Sequence, residues 1–330
     1  MATIMEIAKR AGVSKTTVSR YINGEARGHI SPDTQKRIQK AIDDLDYRPN
    51  DVARSLKRKT TDVVGVIVND ISNIFFLHML KGIEEVLQKA GYQMMICNSN
   101  MSTEQETELV RMLLQKQISG LIIIGMNMDV THIADMNVNV PVVLFERSAD
   151  GTPYDSVMID DELGVRMAVE HLLESGRRRI AHIAGSAKSE ISRKRSEIFL
   201  KVMREHGRIP EDQYLVQGDY SMEQAYQAMA GLCRLPSPPD AVFCSNDLMA
   251  VGAMKYLLEH SCRIPEQMAI VGYDDIDAAS LVTPALTTVR QPVLELAQKG
   301  AEMLLKRIGK KGGPGKHLVL KPELIIRKTT

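Results

Sequence analysis

The chain has 330 residues, too many for one ordinary compact domain, and its 44% apolar and 25% charged residues are a globular mix that excludes fibrous and disordered classes. The sequence holds no run of eighteen apolar residues and opens on Met-Ala-Thr-Ile-Met-Glu without an apolar leader, so a cytoplasmic protein without a membrane partner is expected. The net charge of +1 hides a division: residues 1–60 carry thirteen Lys/Arg against seven Asp/Glu, and the remainder twenty-nine against thirty-four, a basic head on a mildly acidic body.

Residues 1–48 read as helices only. Ile4, Ile7, Ala8 and Ala11 recur at helical spacing until Gly12 and Val13 interrupt them. A second short helix follows from about Ser14, with Val18 and Ile22 on one face. Ser31 and Pro32 supply an N-cap and a first helical residue for a third helix carrying Ile38, Ala41, Ile42 and Leu45. The texture changes at residue 62. Short apolar runs at Val63–Val68, Gln93–Cys97, Gly120–Ile124, Val142–Phe145, Ile180–Ala184, Ala241–Cys244 and Ala269–Val271 read as strands. Amphipathic stretches at about 75–90, 103–116, 161–175, 192–206, 222–235, 247–260 and 292–308 lie between them. That alternation predicts parallel sheets covered on both faces, and the number of units predicts two similar α/β lobes. Gly309–His317 reads as a loop, and Arg177–Arg179 as cations at the negative end of a helix.

The run from Met5 to Arg20 has the mechanics of a helix-turn-helix. Ala8 is small where two helices cross, Gly12 can take the positive φ of the tight turn, and Val18 faces back onto the first helix. Lys15, Thr16, Thr17, Ser19 and Arg20 are left on the exposed face. A recognition helix presents its N-terminal residues to base edges in the major groove, so Lys15 and Thr16 are the base-reading candidates. Thr17, Ser19 and Arg20 suit phosphates or bases.

The run Val13-Ser-Lys-Thr-Thr-Val-Ser-Arg-Tyr-Ile-Asn23, followed by Tyr47-Arg-Pro-Asn50 and Val52-Ala-Arg-Ser-Leu56, resembles the lactose-repressor/purine-repressor (LacI/GalR) family, and the likeness continues to about Lys328. The resemblance implies a DNA-binding domain over 1–48, a hinge helix and linker over 49–60, and a two-lobed periplasmic-binding-protein-like core over 61–330. In that core one lobe spans about 62–160 plus 291–321, and the other about 161–289 plus 322–330. It adds Asn23, Tyr47, Asn50, Ala53 and Arg54 to the DNA-binding set, with Leu56 as an apolar wedge in the minor groove. Such a wedge unstacks a base step and kinks the duplex. The stretch Gly24–Ser31 is longer than in the lactose repressor, so backbone contacts from this loop do not carry over.

In the body, ligands of open α/β sheets lie beyond the C-terminal ends of strands. By resemblance the effector positions are Phe75, Asn127, Glu146, Arg147, Arg195, Tyr220, Asn246 and Asp274. Asn246 offers a donor and an acceptor, Asp274 accepts two hydrogen bonds, and the Arg195 fork holds hydroxyls or a carboxylate. Ile198 departs from the family's usual glycine before Phe199, and Ile74 replaces the proline of its N-P-[FY]-F motif.

No G-x-S-x-G, H-E-x-x-H, phosphate loop or post-strand G-x-G-x-x-G is present, so neither an enzyme nor a cofactor is expected. The scattered Cys97, Cys233, Cys244 and Cys262 and the eight histidines show no metal spacing. A secreted sugar-binding protein would account for the body and leave the basic head without a role. The expectation is a homodimeric repressor of a carbohydrate-utilisation operon, released from a pseudo-palindromic operator by a sugar or sugar acid. The alternative is a corepressor-dependent repressor.

Overall fold

The computed structural model describes residues 2–22, 29–47, 61–125, 128–310 and 312–330. The chain forms two compact units, Met1–Thr61 and Asp62–Thr330.

The small unit holds α1 (Ile4–Ala11), α2 (Lys15–Ile22) and α3 (Pro32–Asp44). Thr3 and Glu6 make a reciprocal capping box that starts α1, and Gly12 ends it at φ 63°. A residue with a Cβ is strained there, so glycine lets the chain turn at once into α2. Ser31 caps α3 and Pro32 fills its first turn. Ile7, Ala8, Ala11, Val18, Ile38 and Ala41 are buried together and form the core of this unit.

The large unit runs β1 (Val63–Val68), α4 (Ile74–Lys89), β2 (Gln93–Asn98), α5 (Thr103–Gln115), β3 (Gly120–Ile124), α6 (Val130–Asp135), β4 (Val142–Phe145), β5 (Asp155–Ile159) and α7 (Asp161–Glu174). It continues through β6 (Ile180–Ala184), α8 (Glu190–Glu205), β7 (Leu215–Gln217), α9 (Met222–Cys233), β8 (Ala241–Cys244) and α10 (Asp247–Glu259). It ends with β9 (Ala269–Asp274), α11 (Asp277–Leu281), β10 (Thr287–Arg290), α12 (Val293–Arg307), β11 (His317–Leu320) and β12 (Glu323–Ile325).

The twelve strands among the described residues make two sheets, ordered β2-β1-β3-β4-β5-β11 and β7-β6-β8-β9-β10-β12. The fold class read from the sequence is the one observed. Each central strand is apolar on both faces because both faces are covered. Val64, Val66 and Val68 of β1 pack under α4 and α12, while Ile67 packs with Val110 and Leu113 of α5. The β10–β12 pair is antiparallel, a correction to an all-parallel expectation at one edge. Strand β9 extends through Gly272-Tyr273-Asp274 instead of stopping at Val271.

The chain passes between the sheets three times, at 159–161, 290–293 and 320–323. After the second passage α12 covers the first sheet, where its Gly300 sits so close to Phe145 that a Cβ would fall 2.0 Å from the ring. After the third, Thr329 closes onto β9 and β10, accepting from the Thr287 amide at 2.9 Å and donating to the Ile270 carbonyl at 2.7 Å. Arg177 does not cap a helix dipole as expected. Its guanidinium donates to the carbonyls of Asp240, Pro265 and Glu266, and Asp240 in turn accepts from the Arg178 and Arg179 amides. These bonds tie down the start of β6.

Candidate functional site

In the small unit, Val18 is buried and turns α2 so that Lys15, Thr16 and Arg20 are exposed. Thr17 and Ser19 are half-buried. Ser14 caps the helix through the Thr17 amide at 3.1 Å and its oxygen lies 2.8 Å from the Thr17 hydroxyl, so Thr17 is partly committed. The half-buried Tyr47 packs against the head core and donates its amide to the Ile42 carbonyl. Asn23, Asn50, Ala53, Arg54 and Leu56 lie outside the described residues.

In the large unit the two sheets reverse their strand order between β1 and β3 and between β6 and β8. Loops after the strands on either side of a reversal diverge and leave a crevice. Both crevices contribute to one cleft of about 650 Å3, counting its open mouth. Seven of the eight expected effector residues line it, namely Phe75, Glu146, Arg147, Arg195, Tyr220, Asn246 and Asp274. Asn127 lies outside the described residues.

Arg195, on α8, is 3% exposed. Its Nε donates to Asp161 Oδ1 at 2.9 Å, its Nη1 donates to the Ser245 carbonyl at 2.8 Å, and its guanidinium lies 3.8 Å from the Tyr273 ring centroid. Burial opposes its charge, but the Asp161 carboxylate beside it holds the pKa above the ordinary value. These bonds fix the fork in the cleft and leave Nη2 without a hydrogen bond among the described residues.

Asp274 ends β9 at φ 126° and accepts from Gln291 Nε2 at 2.6 Å. Burial pushes its pKa well up, and neighbouring Asp247 pushes it further. Glu146 follows β4 at φ 61°. Burial raises its pKa to about 7 against the pull of Arg195. Arg147 reaches across the cleft to Glu190 Oε2 at 3.0 Å. The Tyr220 hydroxyl lies 3.1 Å from Ser189 Oγ, and its ring rests on Gly185, where a Cβ would fall 2.2 Å away.

Asn246 departs from its expected double role. Its Oδ1 caps α10 through the Met249 amide at 2.9 Å, and its Nδ2 donates to the Tyr220 carbonyl at 3.3 Å. One N–H remains for a ligand. Asp247, which a helix cap would also suit, instead binds the Ile276 amide at 2.9 Å and the Thr288 hydroxyl at 2.5 Å, and burial pushes its pKa up to about 6. Phe75 is 4% exposed and meets Phe76 edge-on, so it is a wall of the cleft rather than a free stacking surface.

Sequence reasoning missed Asn69, Gln291 and Asp161. Asn69 and Gln291 line the cleft, and each keeps a buried oxygen without a partner, Asn69 Oδ1 and Gln291 Oε1. Asp161 holds Arg195. Asn69 directly follows a strand, a signal that was available. Asp161 and Gln291 sit where the chain changes sheets, which only the assembled topology reveals. Among the described residues no cluster of three His, Cys, Asp or Glu could hold a metal.

Residues 3–50 match the model for bacterial regulatory proteins of the lacI family, and residues 169–330 match a periplasmic binding protein-like domain. The chain is 32% identical to the HTH-type transcriptional repressor PurR of Photobacterium profundum over 100% of its own length and 98% of that protein's. A lac repressor dimer bound to operator and an anti-inducer superposes with a TM-score of 0.88 at 29% identity, covering 99% of this chain and 98% of that one. A CelR–cellobiose complex aligns at a TM-score of 0.74 and 29% identity over 100% of both chains.

Proposed function

The chain belongs to the lacI family of bacterial regulatory proteins and is a DNA-binding transcriptional repressor, not an enzyme, and we propose that it controls a carbohydrate-utilisation operon by releasing its operator when a sugar or sugar acid fills the cleft. The single observation that carries this reading is the cleft's polar set. Arg195 Nη2, the free N–H of Asn246, Asp274 and the unpaired oxygens of Asn69 and Gln291 converge on one space between two lobes. Vicinal hydroxyls satisfy alternating donors and acceptors of that kind. The CelR–cellobiose complex supports the same reading.

In the cytoplasm two chains pair, and two heads enter successive major grooves of a pseudo-palindrome. Lys15 and Thr16 read bases, Thr17, Ser19, Arg20, Asn23 and Tyr47 hold the head on DNA, and the segment with Asn50, Ala53, Arg54 and Leu56 kinks the centre. The ligand binds one arrangement of the lobes better than the other, and that difference shifts DNA affinity.

The test is fluorescence anisotropy on a labelled palindrome from upstream of the chain's own gene, against a scrambled duplex, at two salt concentrations. Tight selective binding that a sugar or sugar acid weakens is expected. Equal, strongly salt-dependent binding to both duplexes overturns specific recognition. Binding that a small molecule strengthens overturns release in favour of corepression.

A further inference from the structure

Of the charged groups lining the cleft, Arg147 stands out for its partner. Its side chain is 14% exposed, while that of Glu190, 3.0 Å away on the opposite lobe, is 47% exposed. The cation is held inside and the anion sits on the rim. An ion pair with one half in water contributes little, and its exposed half can return to solvent at small cost. We propose that Glu190 is a displaceable plug, that the Arg147 guanidinium is a carboxylate subsite, and that the effector is therefore a sugar acid. This rests on the reading of the cleft as the effector site.

The ligand's carboxylate takes the position of the Glu190 carboxylate, and Glu190 swings out. A guanidinium matches a carboxylate with two parallel N–H···O bonds, which hydroxyls do not reproduce. Arg195 Nη2 faces the same cleft and completes a cationic pair toward the ligand. Two carboxyl groups that also line the cleft, Glu146 and Asp274, are both driven toward their neutral forms by burial. A neutral carboxyl donates to an anion, so these groups do not exclude one. Lys194, near Asp161 at 3.9 Å, adds a cation at the adjoining opening.

The experiment uses the full chain with two matched sets: D-glucose, D-gluconate and D-glucosamine, and D-galactose, D-galactonate and D-galactosamine. Binding is measured by calorimetry and operator release by anisotropy. Within at least one set the acid is expected to bind at least tenfold more tightly than the neutral sugar or the amine. A neutral sugar or amine that matches or exceeds the acid in both sets overturns the proposal and leaves the effector reading standing. No binding by any member, with operator binding intact, overturns both.

Two variants separate the plug from a merely structural pair. Glu190→Gln removes a competitor, so the acid should bind several-fold more tightly while the affinity for the neutral sugar stays put. Arg147→Gln should erase the preference for the acid. Weaker acid binding in Glu190→Gln would overturn the plug, because a structural latch or a ligand contact gives that sign. Glu190 is exposed, so its variant tests the proposal without threatening the fold.

Discussion

At the residue scale, Glu146 carries a pH dependence close to neutrality. Its folded pKa of about 7 lies above its ordinary 4.5 because burial penalises the charged form. Between those values the native state holds a proton that the unfolded chain has lost, so its stability contribution is complete below 4.5 and is lost as pH rises through about 7. Arg195, Asp161, Asp274, Tyr220 and Arg147 are the charged or titratable groups around it. An anionic effector should therefore bind more weakly at pH 8 than at pH 6, and Glu146→Gln should flatten that profile in calorimetry. Asp274→Asn keeps the shape of the cleft and should cut the effector response by tenfold or more. Arg195→Ala is a blunter tool, since it leaves the buried Asp161 carboxylate without its hydrogen-bonded cation and with only the half-exposed Lys194 3.9 Å away. It should cost about 3–5 kcal/mol in denaturant unfolding as well as the response. On the DNA side, Lys15→Ala should cost about 1–3 kcal/mol of operator affinity and relax specificity, whereas Arg20→Ala should chiefly lower the salt slope if it meets phosphate.

At the element scale, Thr3→Ala breaks the capping box of α1 and Gly12→Ala strains its exit at φ 63°, each expected to cost about 1 kcal/mol in the melting of the small unit. Gly300→Ala drives a methyl into the Phe145 ring, one residue before Glu146. Overpacking of this kind costs about 1–3 kcal/mol, and here it should also weaken effector binding by moving the end of β4. The central strands were legible because their burial on both faces writes continuous apolar runs such as Val63–Val68. Strands β5, β7, β10, β11 and β12 were not: β7 has only three residues, and distant partners hold the other four. Asp155 of β5 is buried against Arg307 at 2.6 Å, and Thr287 and Thr288 of β10 bind the chain's own tail and Asp247. The effector residues were found through resemblance, not periodicity. Their burdens inside the fold, such as the capping duty of Asn246, needed coordinates.

At the scale of the whole molecule, three passages between the sheets bind the two lobes of the large unit into one body. The proposed closure would be a small relative motion about short connections, and Asp161 and Gln291, which sit at two of them, bond directly to the cleft residues Arg195 and Asp274. Small-angle scattering on a head-truncated core, residues 62–330, should show compaction with the effector, and Asp161→Asn should reduce it. Sedimentation should find a species twice the 36.8 kDa chain at micromolar concentration. A monomer there would remove the two-headed operator geometry.

The two sheets share one strand order, with the reversal at matching places, so each lobe brings an equivalent set of loops to a common boundary. A molecule caught there is inspected from two sides by the same kind of device in two different wordings. One wording can be rewritten while the other keeps its grip. On the proposed effector reading, substitutions in the loops after β1, β3 and β4 would retune one face of the guest while Arg195, Asn246 and Asp274 kept their hold on the opposite face. A pair of near-duplicate halves is thus a way to acquire a new signal without passing through a stage that recognises none.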